Sequence, residues 1–173
     1  MARPAASPNK VAPVSETTEQ QSVINVRESL AALGVTGEVR RLDDSARTAQ
    51  QAADGLGIEV GQIANSLIFM ADGEPVLVMA SGGHKVDTVQ LASILEVNEI
   101  KKADADQVRA ATSFAIGGVA PVGHPEPLRT IVDIALAQHD VVWAAGGHPH
   151  YVFPTTYDEL LRITGGTPAD VGV

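Results

Sequence analysis

Apolar positions recur at helical spacing from about Glu19: Val23, Val26, Leu30 and Leu33 fall on one stripe, and Gly34 stands where a left-handed residue ends a helix. The pattern predicts an amphipathic first helix. Ahead of it, Met1 to Thr18 is rich in Pro, Ser, Ala and Thr without an apolar period, as expected of a flexible tail. Residues 1–18 are therefore set apart from a single domain spanning 19–173. Val35–Leu42 reads as a short strand, and Ser45 is suited to cap a second helix running to about Asp54, stopped by Gly55 and Gly57.

The segment from Ile58 passes into a strand that continues to Ala71. Asp72-Gly73-Glu74-Pro75 then makes a turn, and Val76–Ala80 returns as an almost wholly apolar strand, buried on both faces. A β-hairpin at the centre of the core follows from this. Asp87 can cap a helix carrying Val89, Leu91, Ala92 and Leu95, and Asp104 another, with Gln107 three residues on completing a capping box. Leu128–Val132 reads as a strand ending at Asp133, followed by a short helix or turn through His139. Val141–Ala145 is a buried strand, Gly146–His150 breaks it, and Tyr151–Phe153 resumes. Thr155 or Thr156 can cap a last helix from Tyr157 to Ile163, ahead of Gly165-Gly166. Strands and helices are interleaved without a regular βαβ repeat. The expected class is α/β (α+β): one domain, a mixed, barrel-like β-sheet surrounded by helices.

Composition narrows the chemistry. The chain has 173 residues, 45% of them hydrophobic but only 3% aromatic, so its core must be aliphatic. With no cysteine, disulfides, thiolate catalysis and thiolate metal sites are excluded, and a cytosolic setting is compatible. No apolar run reaches the roughly 20 residues of a membrane span, and the N-terminus lacks the charged-then-apolar pattern of an export signal. A soluble, unexported, cytoplasmic protein is expected, with no membrane partner. Twelve Lys and Arg against twenty-one Asp and Glu give a net charge of −9, which repels a phosphate backbone at long range and argues against DNA as a partner. Arg40-Arg41 and Lys101-Lys102 are the local basic pairs, although adjacent basic residues usually mark a solvated edge.

One stretch invites a catalytic reading. Phe114-Ala115-Ile116-Gly117-Gly118-Val119-Ala120-Pro121-Val122-Gly123-His124 sets two glycines after an apolar run and then fixes a tight loop, so backbone N–H groups could approach a substrate without Cβ obstruction. That is one way to build an oxyanion site, and it is also how an ordinary surface turn is written. Asp133, after an apolar strand, could orient a water, receive a substrate amine, or bond to loop N–H groups. Gly146 and Gly147 interrupt a strand as bulges and ligand-facing loops do, which suits a facing rim. His124 is a polar group suited to a pocket mouth. His148 and His150 are two apart, but Pro149 between them and the lack of a carboxylate at ligand spacing argue against a metal.

Five segments in order carry a specific resemblance: Val60–Phe69, Gly117–His124, Ile131-Val132-Asp133, Val142–Gly147 and Leu160–Gly165. Over about Val23 to Val171 the chain resembles the YbaK/EbsC family, the prolyl-tRNA synthetase-associated editing domain. The resemblance implies a metal-free and cofactor-free aminoacyl-tRNA deacylase acting in trans on the ester of mischarged tRNA, typically Cys- or Ala-tRNA(Pro). It also implies a tRNA partner held weakly and transiently, given the net charge, with delivery by prolyl-tRNA synthetase or an elongation factor. Gly117, Gly118 and Asp133 are then the candidates for the catalytic machinery, and Asn65, Ala120, Pro121, Gly123, His124, Gly146 and Gly147 for substrate binding. Two positions depart from the family pattern. Asn65 stands where a lysine implied to engage the terminal nucleotide is usual, and Ala120 where many members have serine. A non-catalytic binding module of the same fold, reading an aminoacyl group or a small metabolite, is the alternative.

Overall fold

The computed structural model describes residues 14–43, 46 and 48–172. The chain order is α1 (Val14–Ala32), β1 (Arg40–Arg41), α2 (Ala49–Leu56), β2 (Ile63–Ala71), β3 (Glu74–Ser81), α3 (Thr88–Leu95), β4 (Ile100–Lys102), α4 (Ala105–Thr112), β5 (Arg129–Asp133), β6 (Val142–Ala145), β7 (Tyr151–Thr155), α5 (Tyr157–Thr164) and β8 (Thr167–Ala169). Single 3-10 turns precede β2 and follow β5. The sheet is mixed, in the order β1-β7-β6-β2-β3-β5-β8, with β4 branching off β2.

The β2–β3 hairpin is the centre of the molecule. Asp72 and Gly73 both adopt positive φ, at 48° and 85°, which gives the two-residue turn whose twist matches its flanking strands. Glu74 and Pro75, expected in the turn, already belong to β3. Pro75 is tolerated because it faces Met70, while Gly82 N donating to Ile63 O sets the odd-numbered residues of β2 as the hydrogen-bonded positions of the ladder. Val76–Ala80 is buried throughout, as its apolar run predicts. One face of the hairpin, with Ile68, Leu77 and Met79, packs on Val23, Val26 and Leu30 of α1 and on Phe153. The other, with Phe69, Val76 and Val78, packs on Leu91 and Leu95 of α3.

Local chemistry explains most boundaries. Asp87 accepts from Val89 N and Gln90 N at the start of α3, and Asp104 with Gln107 forms the predicted capping box on α4. Thr156, of the two threonines proposed, caps α5. Gly34 (φ 77°) ends α1 as expected.

Several expectations need correction. Residues 1–13 of the proposed tail lie outside the described residues, but α1 opens at Val14 rather than near Glu19, and Leu33 lies beyond its end, partly exposed. The strand expected over Val35–Leu42 shortens to Arg40–Arg41, which pair with β7, and Leu42 N donates to His150 O just beyond them. Ser45 lies outside the described residues, and the cap of α2 is Thr48, which forms a capping box with Gln51. Gly55 sits inside that helix and Gly57 (φ 70°) ends it. Val89 of α3 is 80% exposed and takes no part in the core. β4 and β8 were not anticipated.

β4 owes its place to the hairpin tip. The Asp72 carboxylate accepts hydrogen bonds from Asn98 N (3.1 Å) and Glu99 N (2.9 Å), and Asp72 N donates to Glu99 O (2.9 Å). These contacts lay Ile100–Lys102 antiparallel against Phe69–Ala71. Asp72→Ala removes both acceptors and leaves a left-handed position that alanine disfavours. It should cost about 1–3 kcal/mol in urea unfolding and speed amide exchange at Ala103, whose N–H bonds to Ile68 O on β2.

Candidate active site

The edge of β2 that faces away from β3 is shared by two strands. Ile63 and Ala64 pair in parallel with Trp143 and Ala144 of β6, while Phe69–Ala71 pair antiparallel with β4. Asn65–Leu67, between them, have no strand on that edge among the described residues. The even-numbered residues of β2 turn their backbone groups away from β3, as the Ala103 N–Ile68 O bond shows, so alternation directs Ser66 N–H and C=O into the gap. A cavity of about 230 Å³ fills this split. β2 forms its floor, Trp143 and Ala144 one side, Ala49 and Ala52 of α2 another, and Ile116 and Gly117 the glycine loop side. Lys102 stands at its border.

Of the predicted site residues, Asn65 and Gly117 line this cavity together. Asn65 is half-buried and its carboxamide makes no hydrogen bond among the described residues. Ser66 sends its hydroxyl to Met79 Sδ at 3.2 Å. Gly117 is exposed at φ 88°, in a loop that α4 delivers through the left-handed Ser113. Ile116 beside it is 54% exposed, an apolar side chain held at the entrance.

The other predicted residues lie elsewhere, for identifiable reasons. Gly118 is buried and donates its N–H to Ala115 O (3.0 Å), so that amide is engaged within the turn. Its lack of a side chain serves packing: a Cβ there would stand 2.7 Å from His148 Cα and 2.8 Å from the His148 carbonyl carbon. The rim facing the glycine loop is thus made by His148 and Pro149 rather than by Gly146 and Gly147. Gly146 packs on Val39 and Tyr151, and Gly147 (φ 104°) against Ser22 and Val26 of α1, whose Ser22 hydroxyl bonds to Gly147 O at 2.8 Å.

Ala120 is fully buried in the core and does not line the cavity, so its departure from the usual serine leaves the cavity wall unchanged. Pro121, Gly123 and His124 border a separate groove with Ser29 and Leu33 on the far side of the loop. His124 therefore is not at the cavity mouth. Its Nε2 lies 2.7 Å from Ala120 O and its ring meets Phe114 edge-on at 6.2 Å.

Asp133, also fully buried, takes the third of its three roles. It accepts from Ser81 N (3.0 Å) and Ala135 N (2.9 Å), joining the ends of β3 and β5. His84 Nδ1 lies 3.1 Å from its Oδ2, within ion-pair distance when the ring is protonated but not aligned as a hydrogen bond. Ser81 Oγ donates to Gly61 O rather than to the imidazole, so the Ser, His and Asp here are not connected as a nucleophilic triad.

Electrostatically the cavity is nearly neutral. Among the described residues, Lys102 is the one formally charged side chain lining it, and no carboxylate or imidazole does. No group of three or more potential metal ligands occurs among the described residues. His148 and His150 are neighbours at 5.7 Å, with His148 edge-on to Tyr151. Sequence reasoning did not identify the apolar walls or Lys102. The small residues of α2 in the capping-box frame Thr48-Ala49-Gln50-Gln51-Ala52 were the available signal for the first; for the second there was only its adjacency to Lys101.

Residues 43–163 match the family model of the aminoacyl-tRNA editing domain, and the chain belongs to that family. A solved structure proposed to be a trans-editing enzyme for prolyl-tRNA synthetase superposes with a TM-score of 0.84 at 38% identity, covering 88% of this chain and 97% of the other. The hypothetical protein APE2540 superposes with a TM-score of 0.79 at 27% identity, over 86% and 99% of the two chains. The prolyl-tRNA ligase of Latilactobacillus sakei is 31% identical over 91 residues, 53% of this chain, and the chain spans 16% of that ligase. The uncharacterized protein YwhH of Bacillus subtilis is 27% identical over 144 residues, covering 83% and 91%. The chain is thus an aminoacyl-tRNA editing domain, similar in sequence to a segment of prolyl-tRNA ligases. No helix of the described residues is long and apolar enough to cross a membrane.

Two outcomes follow from the geometry. Gly118→Ala should destabilise by about 1–3 kcal/mol through overpacking and displace the rim, read as a lower urea midpoint together with reduced turnover. Burial lowers the pKa of His124 below its ordinary 6.5, with the Ala120 carbonyl opposing. The unfolded chain then binds the proton first as pH falls. Its contribution to stability is constant above about pH 6.5, declines as pH drops through the folded-state value, and levels off below it. Urea midpoints across a pH series should show that decline for the parent and a shallower one for His124→Gln.

Proposed function

We propose that this domain acts in trans on a tRNA carrying a small, wrongly attached amino acid, of the Ala- or Cys-tRNA(Pro) kind. The carrying observation is the cavity: about 230 Å³, with apolar walls and alanines on two sides. That is below the roughly 300–1,000 Å³ of pockets for drug-sized ligands, and it suits a short side chain. Bulk would be refused at Ala49, Ala52 and Trp143, whereas one missing methylene would be tolerated, as size-selecting pockets generally allow.

The ester carbonyl would lie along the unpaired edge of β2. Ser66 N–H and the Gly117 amide are the candidate donors to the oxygen that becomes negative, and the Asn65 carboxamide, which lines the cavity, is the candidate partner of the terminal ribose or the substrate amine. Water adds to the carbonyl carbon, the tetrahedral intermediate collapses with cleavage of the carbon–oxygen bond to ribose, and the ribose oxygen takes up a proton. The amino acid leaves as its carboxylate after releasing the other. With no carboxylate or imidazole among the described lining side chains, the proposed rate gain rests on orientation and on preorganised N–H donors. Prolyl-tRNA synthetase or an elongation factor is the proposed source of substrate, because the net charge of −9 opposes tight binding of free tRNA.

Single-turnover deacylation of Ala-, Cys- and Ser-tRNA(Pro), with correctly charged controls, tests this. Selective loss of one small mischarged species is expected, and Ala52→Leu, which fills the cavity, should slow it by at least tenfold while leaving the urea midpoint near that of the parent. Uniform stability of the panel with folded protein would refute hydrolysis of these substrates and favour a binding module.

A further inference from the structure

We propose that Lys102 is the phosphate anchor of the site, a positioning residue that receives the phosphate of the tRNA terminal nucleoside while the aminoacyl group occupies the cavity. The inference rests on the proposed function above. Four basic residues come near this side of the sheet, and they differ in what already holds them. Arg40 lies over the Trp143 ring at 4.7 Å, and Arg41 Nη1 reaches Leu42 O at 3.5 Å. Lys101 Nζ stands 3.8 Å from Glu99. Lys102 alone of the four borders the cavity, is exposed, and has no ion pair or hydrogen bond among the described residues.

Its position is fixed by backbone rather than by chance of a surface side chain. Lys102 is the last residue of β4, opposite Phe69, and Ala103 N closes on Ile68 O immediately after it. The Asp72 contacts to Asn98 and Glu99 hold the start of the same segment. The backbone of Lys102 is therefore fixed beside the gap whose floor is Asn65–Leu67, and its flexible stem carries the ammonium from that point.

The substrate's chemistry requires a cation there. An aminoacyl ester sits on the terminal ribose of the tRNA, and the nearest phosphodiester belongs to the same nucleoside, so an acyl group inside the cavity brings one phosphate to its border. Asn65 is neutral and the chain carries a net −9, so a phosphate arriving without a local cation meets net repulsion. A lysine ammonium is a compact point charge on a flexible stem, suited to a single phosphate that must later leave.

The test is single-turnover deacylation as a function of enzyme concentration, at several KCl concentrations, for parent, Lys102→Gln and Lys102→Arg. The substrates are the aminoacyl-tRNA that the parent hydrolyses and the same amino acid esterified to adenosine, which has no phosphate. For tRNA, Lys102→Gln should raise the half-saturating concentration about tenfold and flatten the salt slope by about 0.7, the value for one contact to a single strand. Its rate at saturation should stay within about twofold of the parent on this scale, and Lys102→Arg should recover the affinity. For the adenosine ester all three proteins should behave alike.

An unchanged half-saturation and salt slope for Lys102→Gln would overturn the proposal while leaving the deacylase reading intact. So would an equal loss on the adenosine ester. If the parent hydrolyses nothing, the reading of the site fails, and binding of an amide-linked aminoacyl-CCA oligonucleotide decides Lys102 separately. Weaker binding by Lys102→Gln supports the phosphate contact, and equal or absent binding overturns it.

Discussion

The site depends on a strand that two neighbours fail to cover completely. β2 is fully paired along one edge by β3, but on the other β6 takes only its first two residues and β4 only its last three. An open stretch of backbone in the middle of a sheet leaves polar groups that must find partners, and a buried one would be costly. Here the stretch borders a cavity, so water or substrate can meet that need. The fold thereby directs the Ser66 N–H into an apolar surround without recruiting a dedicated side chain, and a preorganised dipole of that kind needs little rearrangement when charge develops.

Keeping the split open requires restraint on both flanks. On the β4 flank, the Asp72 carboxylate holds Asn98 and Glu99, stopping β4 from sliding along β2 to close the gap. On the β6 flank, the break at Gly146 and Gly147 turns the chain sharply, and the contacts of Gly147 with Ser22 and Val26 let α1 hold that turn from behind. The glycine loop then meets the 148–149 segment closely enough that Gly118 has no room for a Cβ. Three glycines that look alike as candidates for substrate contact are used for backbone approach, and only Gly117 faces the cavity.

Legibility in the sequence follows the range of the interactions. The hairpin was legible because Asp72-Gly73 and the apolar run after it are local signals, and so was the Asp104–Gln107 capping box. Ser45 and Thr48 both carry cap chemistry ahead of α2, but Thr48 has the stronger mark, a glutamine three residues on, and it is the cap. β4 and β8, three residues each, have no periodicity of their own and exist because β2 and β5 present free edges to them. Asp133 illustrates the same limit: an aspartate after an apolar strand reads equally as catalytic or structural until Ser81 and Ala135 are seen to donate to it. Motif order was sufficient to recognise the family, but which glycine faces the cavity depends on contacts between segments distant in the chain, Gly118 with His148 and Gly147 with Ser22.

The departures at positions 65 and 120 are physically unequal. Ala120 is enclosed by the core, where a hydroxyl would need a partner of its own, so alanine there is a packing choice with no direct reach into the cavity. Asn65 is in the cavity, and replacing a cation by a carboxamide keeps hydrogen bonding while giving up charge. An ammonium deep in a nearly neutral, apolar cavity carries a desolvation penalty that one at the border avoids. With Asn65 on the floor and Lys102 at the border, directional hydrogen bonding and charge fall on separate residues. In the proposed complex each would act on a different part of the same nucleotide, leaving the cavity walls apolar for the amino-acid side chain.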